Sequence, residues 1–362
     1  MKNIFLQILI LILLLAAALA LPMFYPAGAA VYVRLLLLLL ILAVGLKLFK
    51  TAFIDRRVGK TAANAATVLL SLFALLIALE AVFMFIPRSH SADHTLASKL
   101  WYAKYWQPIN SLGFRDREPD NRNPVILFVG DSFTAGHGLK SVNDRFSDIV
   151  GRGLNTRQQK YSVVNIGRPN FDSRDEYEAM IDFIYRTRIK PVKIILQYCG
   201  NDIEGAAARN GLIFEGFRPP EDMNQFVLLI GSGSYFFNYV YFLLPREYLG
   251  VSYIKYLTNA YKNDQVLAQH RDDLKLFVDY ARQNSIPLMV VAFPFLTELE
   301  MSDALYVNRI TGFFRTQGIS VINVSDLARK MPVEERVVNQ NDTHASIKLN
   351  KMIAAEILNR LK

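Results

Sequence analysis

Three apolar runs open the chain, at residues 4–21, about 27–46 and 62–86. Each is long enough to cross a hydrocarbon core of about 30 Å as a helix, so residues 1–87 are predicted to be a transmembrane region. The first run ends in a small-residue pattern, Ala18-Leu19-Ala20, which leaves a cleaved signal peptide open. Its apolar stretch is long for that role, and retention is the expectation.

The pattern then changes twice. Residues 88–123 are polar and irregular, with aromatic anchors at Trp101, Tyr102, Tyr105 and Trp106, and read as a linker packing on a domain. From residue 124 onward short apolar runs alternate with amphipathic ones. Strands are predicted over 124–130, 161–167, 193–198, 287–293 and 319–324, and helices over 146–154, 174–188, 264–283, 304–317 and 346–361. Strands apolar on both faces, each followed by a helix, imply a parallel sheet covered on both sides, a three-layer α/β/α domain over 124–362. An insertion over about 204–252 breaks the rhythm with Arg218-Pro219-Pro220 and an aromatic run. A lid, a helix on the membrane surface, or a segment packed on the domain would each suit it.

Charge adds orientation. Of the net charge of +9, residues 1–87 carry seven basic residues against two acidic ones. Lys47, Lys50, Arg56, Arg57 and Lys60 gather between the second and third spans, against Asp55 alone, while residues 22–28 carry no charge. The positive-inside rule places that loop in the cytoplasm, so everything after Arg88 is expected outside the cytoplasmic (inner) membrane. Arg34, near a helix end, is expected to snorkel; pairing with Glu80 is the alternative. The remaining charge forms no basic run and no nucleic-acid module, so no nucleic-acid partner is expected. The single cysteine, Cys199, excludes an intramolecular disulfide and reads as a small buried residue at a strand end.

In open parallel sheets the chemistry gathers at the carboxyl ends of strands. Gly130-Asp131-Ser132-Phe133-Thr134 follows the first strand, Asn165-Ile166-Gly167-Arg168-Pro169-Asn170 ends the second, and Gly200-Asn201-Asp202 follows the third. Taken singly, Ser132 is a helix cap or a nucleophile, and an asparagine at a strand end is a turn former or an oxyanion donor. Asn341-Asp342-Thr343-His344, ahead of the last helix, is a cap with a histidine or an acid–base pair. The glycine pattern of an α/β-hydrolase elbow is absent, since Thr134 stands where it needs glycine. No phosphate loop, dinucleotide fingerprint or metal-ligand spacing is present, so no cofactor and no metal are expected.

Taken in order, these segments resemble the motifs of the SGNH (GDSL) hydrolase family, and residues 110–117 (NSLGFRDR) look like the entry segment of its membrane-anchored members. The resemblance covers about 126–361 and implies a flavodoxin-like domain. It also implies a catalytic triad of Ser132 as nucleophile, His344 as base and Asp342 as the acid orienting it. The oxyanion hole would be the Ser132 N–H, the Asn170 N–H and the Asn201 side chain. Two departures stand out. Many members place the acid three residues before the histidine, where this chain has Asn341, and the second-motif oxyanion glycine aligns with Asn170. Asparagine keeps the N–H and tolerates left-handed backbone. Gly167 is then left to close packing. His137, five residues after Ser132, is expected to face elsewhere or to line the pocket.

The expected function is an extracytoplasmic, membrane-anchored serine esterase acting on O-acyl, foremost acetyl, esters of cell-envelope glycans. O-acetyl transfer by the same triad, a lipid esterase or lysophospholipase, and a non-catalytic glycan-binding module are the alternatives. Partners implied are the lipid bilayer and an acylated glycan or lipid.

Overall fold

The computed structural model describes residues 2–54, 58–91, 95–155, 160–214, 224–243 and 247–361. Asp55, Arg56, Arg57 and the Arg218-Pro219-Pro220 segment lie outside them. The chain divides into two units, Met1–Lys104 with Phe217–Pro245, and Tyr105–Gly216 with Arg246–Lys362.

In the second unit the five predicted strands form one parallel sheet, β1 (Val125–Val129), β2 (Ser162–Asn165), β3 (Lys193–Tyr198), β4 (Leu288–Ala292) and β5 (Ser320–Asn323). Their order, β2-β1-β3-β4-β5, is the doubly wound flavodoxin-like order. Alternation of side chains sends successive residues to opposite faces. Val125, Leu127, Val129, Ile194, Leu196 and Val290 enter one core with Met180, Phe183, Leu274 and Phe277. Ile126, Phe128, Ile195, Met289 and Val291 enter the other with Phe146, Val150, Leu349 and Ile353. The helices Ser173–Thr187 and Asp264–Gln283 cover the first face, and Phe146–Leu154 and Ile347–Arg360 the second. Cys199 is fully buried at the end of β3.

Strand order reverses between β1 and β3, which opens a crevice at their carboxyl ends. The register, Phe128 opposite Asn165 and Val129 opposite Leu196, brings the segments after β1, β2 and β3 to one edge. The sequence did not foretell a small antiparallel hairpin, β6 (Val337–Asn339) with β7 (Asp342–Ala345), which precedes the last helix.

The first unit is built on three long helices, α1 (Lys2–Phe24), α2 (Ala29–Phe49) and α3 (Lys60–Phe83). All are long and apolar enough to cross a membrane, and Phe5, Leu13, Leu36, Leu69 and Leu72 stand exposed on them. Such a surface suits lipid rather than water. The stretch read as irregular contains a helix, Leu96–Tyr105, whose Trp101 is buried. The predicted insertion divides: Glu204–Arg209 belongs to the α/β unit, whereas Gln225–Gly233 and Tyr235–Leu243 pack in the helical unit. Arg34 does not snorkel. It is 2% exposed, and its Nη2 donates to Glu80 Oε1 at 2.5 Å. Isolated charge is costly in an apolar setting, and pairing removes most of that cost.

Candidate active site

Ser132 opens a one-turn helix, Ser132–Ala135, immediately after β1. The Asp131 side chain caps it by accepting from the Phe133 N–H at 2.8 Å. Gly167, at the end of β2, is needed for close approach. A Cβ there would meet the Ala135 nitrogen at 2.4 Å, so the second motif presses directly on the serine turn.

The β6–β7 hairpin carries both Asp342 and His344. Asp342, fully buried, lies with Oδ1 2.6 Å from His344 Nδ1, and His344 Nε2 lies 2.8 Å from Ser132 Oγ. Both distances are hydrogen bonds of the strong class. Asn341 takes no part: its N–H donates to Asn339 Oδ1 at 2.9 Å in the hairpin turn. The one-residue offset from the usual spacing is absorbed by strand β7, on which Asp342 and His344 share a face. Gly138, at φ 79, closes the loop after the serine turn over the acid, where a Cβ would come within 2.6 Å of Asp342 Oδ2.

Of the two expectations for His137, the structure places it at the site. Its Nδ1 lies 3.4 Å from His344 Nε2, and the two rings pack edge-on with centroids 4.2 Å apart. A left-handed turn at Gly136, φ 73, directs the chain back toward the site, a bend that sequence distance alone does not reveal. His137, Asp342 and His344 bring their ligand atoms within 4.8 Å of one another. Two of the three, Asp342 and His344, are already bonded to each other.

Asn201 Nδ2 donates to Asp131 Oδ2 at 3.1 Å, which fixes the amide beside the serine turn and leaves its second N–H available. Asn170 has φ 64, the left-handed conformation that asparagine tolerates. Its loop lies along the serine segment, with the Arg168 N–H donating to the Gly130 carbonyl at 3.1 Å. Among the described residues neither the Ser132 N–H nor the Asn170 N–H has a protein acceptor.

Two supports escaped the sequence reading. Gln197, on β3, accepts through Oε1 from the Asp131 N–H at 3.0 Å and from Thr134 Oγ1 at 2.9 Å, bracketing Ser132. Arg115, 2% exposed, donates to the carbonyls of Gly136 and Leu139 at 2.6 and 2.7 Å. Within the family-like 110–117 segment only the general pattern was visible, because an arginine there reads as a surface charge until its burial is known.

Behind the oxyanion side lie Asp131, Glu176 and Asp202, each 1% exposed. Burial, then the neighbouring carboxylates Asp202 and Asp131, pushes the Glu176 carboxyl well above the usual range. Burial, then Asp131, does the same to Asp202. Neither Glu176 oxygen has a hydrogen-bond partner among the described residues. A raised carboxyl binds its proton more tightly in the folded chain. Its contribution is therefore present below the ordinary value of about 4.5 and is lost as pH rises toward the raised one. Glu176→Gln cannot ionise, so its Tm relative to wild type should rise as pH increases above 4.5, the difference in unfolding free energy growing by up to about 1.4 kcal/mol per pH unit until the raised carboxyl ionises in the folded chain. A Tm difference independent of pH would contradict the burial argument.

No family model matches this chain, and no curated protein does. Among solved structures it aligns with the lipase/acylhydrolase from Enterococcus faecalis at 14% identity and TM-score 0.41, covering 66% of this chain and 95% of that one. It aligns with the psychrotrophic esterase EstA from Pseudoalteromonas sp. at 13% identity and TM-score 0.39, covering 67% and 97%. A third likeness is to AlinE4, an SGNH-hydrolase family esterase, at 14% identity and TM-score 0.34, covering 67% and 96%. Likenesses this loose carry no argument about activity, which rests on the geometry of Ser132, His344 and Asp342.

Proposed function

We propose that the chain is a membrane-anchored serine ester hydrolase of the SGNH type, acting outside the cytoplasmic membrane on O-acyl esters, foremost acetyl, of cell-envelope glycans. The observation that carries the reading is the continuous relay from Ser132 Oγ to His344 Nε2 at 2.8 Å and from His344 Nδ1 to Asp342 Oδ1 at 2.6 Å. Lys47, Lys50, Arg56, Arg57 and Lys60, clustered around the connection from α2 to α3, support the orientation. The glycan part rests on location and on the resemblance of the motifs.

As Ser132 Oγ attacks the ester carbonyl carbon, its proton passes to His344 Nε2. Asp342 holds the tautomer with the proton on Nδ1 and stabilises the imidazolium that forms. The negative oxygen of the tetrahedral intermediate takes hydrogen bonds from the Ser132 and Asn170 N–H groups and from the second N–H of Asn201. Each such donor contributes about 3 kcal/mol in the transition state. Collapse expels the alcohol, which receives the proton from His344. Water then attacks the acyl-Ser132 ester by the same route in reverse, and His137, packed edge-on, restrains the ring.

The test uses the full-length protein in detergent with p-nitrophenyl acetate, butyrate, octanoate and palmitate. Turnover should be fastest on acetate, and a fluorophosphonate should label Ser132. Faster turnover on long chains would replace the small-acyl substrate with a lipid. Turnover only when a sugar acceptor is added would replace hydrolysis with transfer. Folded protein that neither turns over nor labels would leave a binding module.

A further inference from the structure

The two helices Gln225–Gly233 and Tyr235–Leu243 meet at 117° and together are long and apolar enough to count as one broken span or one re-entrant loop. We propose that they form a re-entrant hairpin dipping into the outer leaflet, its tip locked by the Arg34–Glu80 ion pair and its outer faces seated in lipid acyl chains. The inference rests on α1–α3 crossing the bilayer, and not on the esterase chemistry.

Sheet topology decides between a span and a hairpin. Strand β3 precedes this segment and β4 follows it, and the two pair directly, Ile194 opposite Leu288 through Tyr198 opposite Ala292. Both ends of the segment therefore lie on one side of the membrane. A single crossing between them would put β3 and β4 on opposite sides. The stretch leading in, Glu215-Gly216-Phe217-Arg218-Pro219-Pro220-Glu221-Asp222, is too charged to supply a second crossing. Each helix of nine residues spans about 14 Å, roughly half of a hydrocarbon core of about 30 Å.

The break between the helices has the polar satisfaction that a membrane interior demands. Hydrocarbon offers no partner to the end groups of a helix, so a turn at depth requires protein partners. Here Arg34 Nη2 donates to the Gly233 carbonyl at 2.5 Å, and Nη1 to the Ala18 carbonyl of α1 at 2.6 Å. Glu80 of α3 accepts from the N–H groups of Tyr235 and Phe236 at 2.8 and 3.1 Å and from Ser234 Oγ at 2.6 Å. A carboxylate at one helix N-terminus and a guanidinium at the other's C-terminus also complement both helix dipoles. Gly233 allows the approach, since a Cβ there would meet the Leu19 carbonyl oxygen at 2.7 Å.

The depth is consistent from both sides. Arg34 is the sixth residue of α2 and Glu80 stands three residues before the end of α3. These ends share one side, because residues 50–59 join the opposite ends, and both groups lie about 5–8 Å in from them. The hairpin's outward side chains, Phe226, Leu229, Phe237 and Val240, are 68, 50, 45 and 38% exposed. They extend the apolar surface of α1–α3, which names lipid as the occupant.

The experiment reads depth and sidedness of the full-length protein in phosphatidylcholine–phosphatidylglycerol vesicles. Spin labels are placed singly by Phe226→Cys, Leu229→Cys, Phe237→Cys and Val240→Cys, with Cys199 buried and unreactive. Collisions with oxygen should exceed those with a water-soluble nickel chelate at all four positions, as at a Leu72→Cys reference in α3. Asn224→Cys and Leu243→Cys should be reached by an impermeant maleimide from the same side. Nickel access equal to that at an Arg186→Cys surface reference would overturn burial in lipid. Labelling from opposite sides would establish a span instead.

The lock is tested by Arg34→Met and by the milder Glu80→Gln, each with the Leu229 label. Nickel access should rise several-fold in the first and less in the second, while the Leu72 reference stays unchanged. No rise in either variant would overturn the lock. Esterase turnover enters none of these readouts, so loss of the hairpin and loss of the catalytic reading are separately visible.

Discussion

Ser132→Ala is expected to lower kcat on p-nitrophenyl acetate by about 10⁶-fold, and Asp342→Asn by about 10⁴-fold. The two numbers differ because the residues do different work. Without Ser132 Oγ there is no acyl-enzyme, and only binding and the oxyanion donors remain. With asparagine at 342 the nucleophile and base stay in place. The amide then donates to His344 Nδ1 where the carboxylate accepted, so the ring is held in the wrong tautomer and its charged form loses its partner. A factor of 10⁴ corresponds to about 5 kcal/mol of transition-state stabilisation. Asn341→Ala should change kcat less than tenfold, since the Asn341 N–H donates to Asn339 Oδ1 in the hairpin turn rather than toward His344. Adding His344→Ala to Ser132→Ala should cost almost nothing more, because residues acting as one relay are strongly non-additive. Steady-state kinetics with circular dichroism of each variant decides the matter. Ser132→Ala retaining a tenth of wild-type kcat would end the serine mechanism.

The parallel sheet was legible because its strands read as short continuous apolar runs, most of them followed closely by glycine or asparagine and β4 by Pro294. Strand β3 and the helices 146–154 and 264–283 coincide with their predicted ranges. The hairpin β6–β7 was not legible. Its seven strand residues, Val337-Val338-Asn339 and Asp342-Thr343-His344-Ala345, are half polar, and pairing across a two-residue turn leaves no periodic signature. Yet it is this hairpin that puts Asp342, and not Asn341, behind His344, because alternate residues of a strand point the same way. The insertion failed for the opposite reason. Its apolar helices look like a segment seeking any hydrophobic cover, and partners far away in sequence, Arg34, Glu80 and Leu96 among them, show where it docks. Arg34 alone reads as a snorkelling cation, and Glu80 alone as an isolated charge in a span. Their pairing, and the backbone groups they share, are three-dimensional facts. For His137 two alternatives stayed open, because separation along the chain is a poor guide after the left-handed Gly136.

Arg115→Met is expected to destabilise the α/β unit by about 3–5 kcal/mol, an exceptional value for one substitution. The guanidinium fork reaches the carbonyls of Gly136, Ala135, Leu139 and Tyr105 at 2.6, 3.3, 2.7 and 2.8 Å and stacks 4.6 Å from the Trp106 ring. Ala135 and Gly136 end the serine helix, where the last carbonyls have no intrahelical partner. Methionine keeps much of the apolar contact but takes a charged donor from all four carbonyls; Gly136 retains the Leu139 N–H at 3.2 Å, and a buried acceptor left without any donor costs about 1–3 kcal/mol before relaxation. Arg115→Lys should recover little, because one ammonium cannot reach two ends of a planar fork. In a unit of this size the loss corresponds to a fall in Tm on the order of 10 °C. Arg117→Met, at an exposed position two residues on, should stay within about 0.5 kcal/mol of wild type. The destabilised loop is also the one that carries His137 and closes Gly138 over Asp342. Below its lowered Tm, Arg115→Met should therefore show a reduced kcat with KM little changed, since what loosens is the relay rather than the substrate contacts. An unchanged kcat with the expected fall in Tm would confine Arg115 to holding the fold, whereas an unchanged Tm would mean that the four carbonyls find other donors.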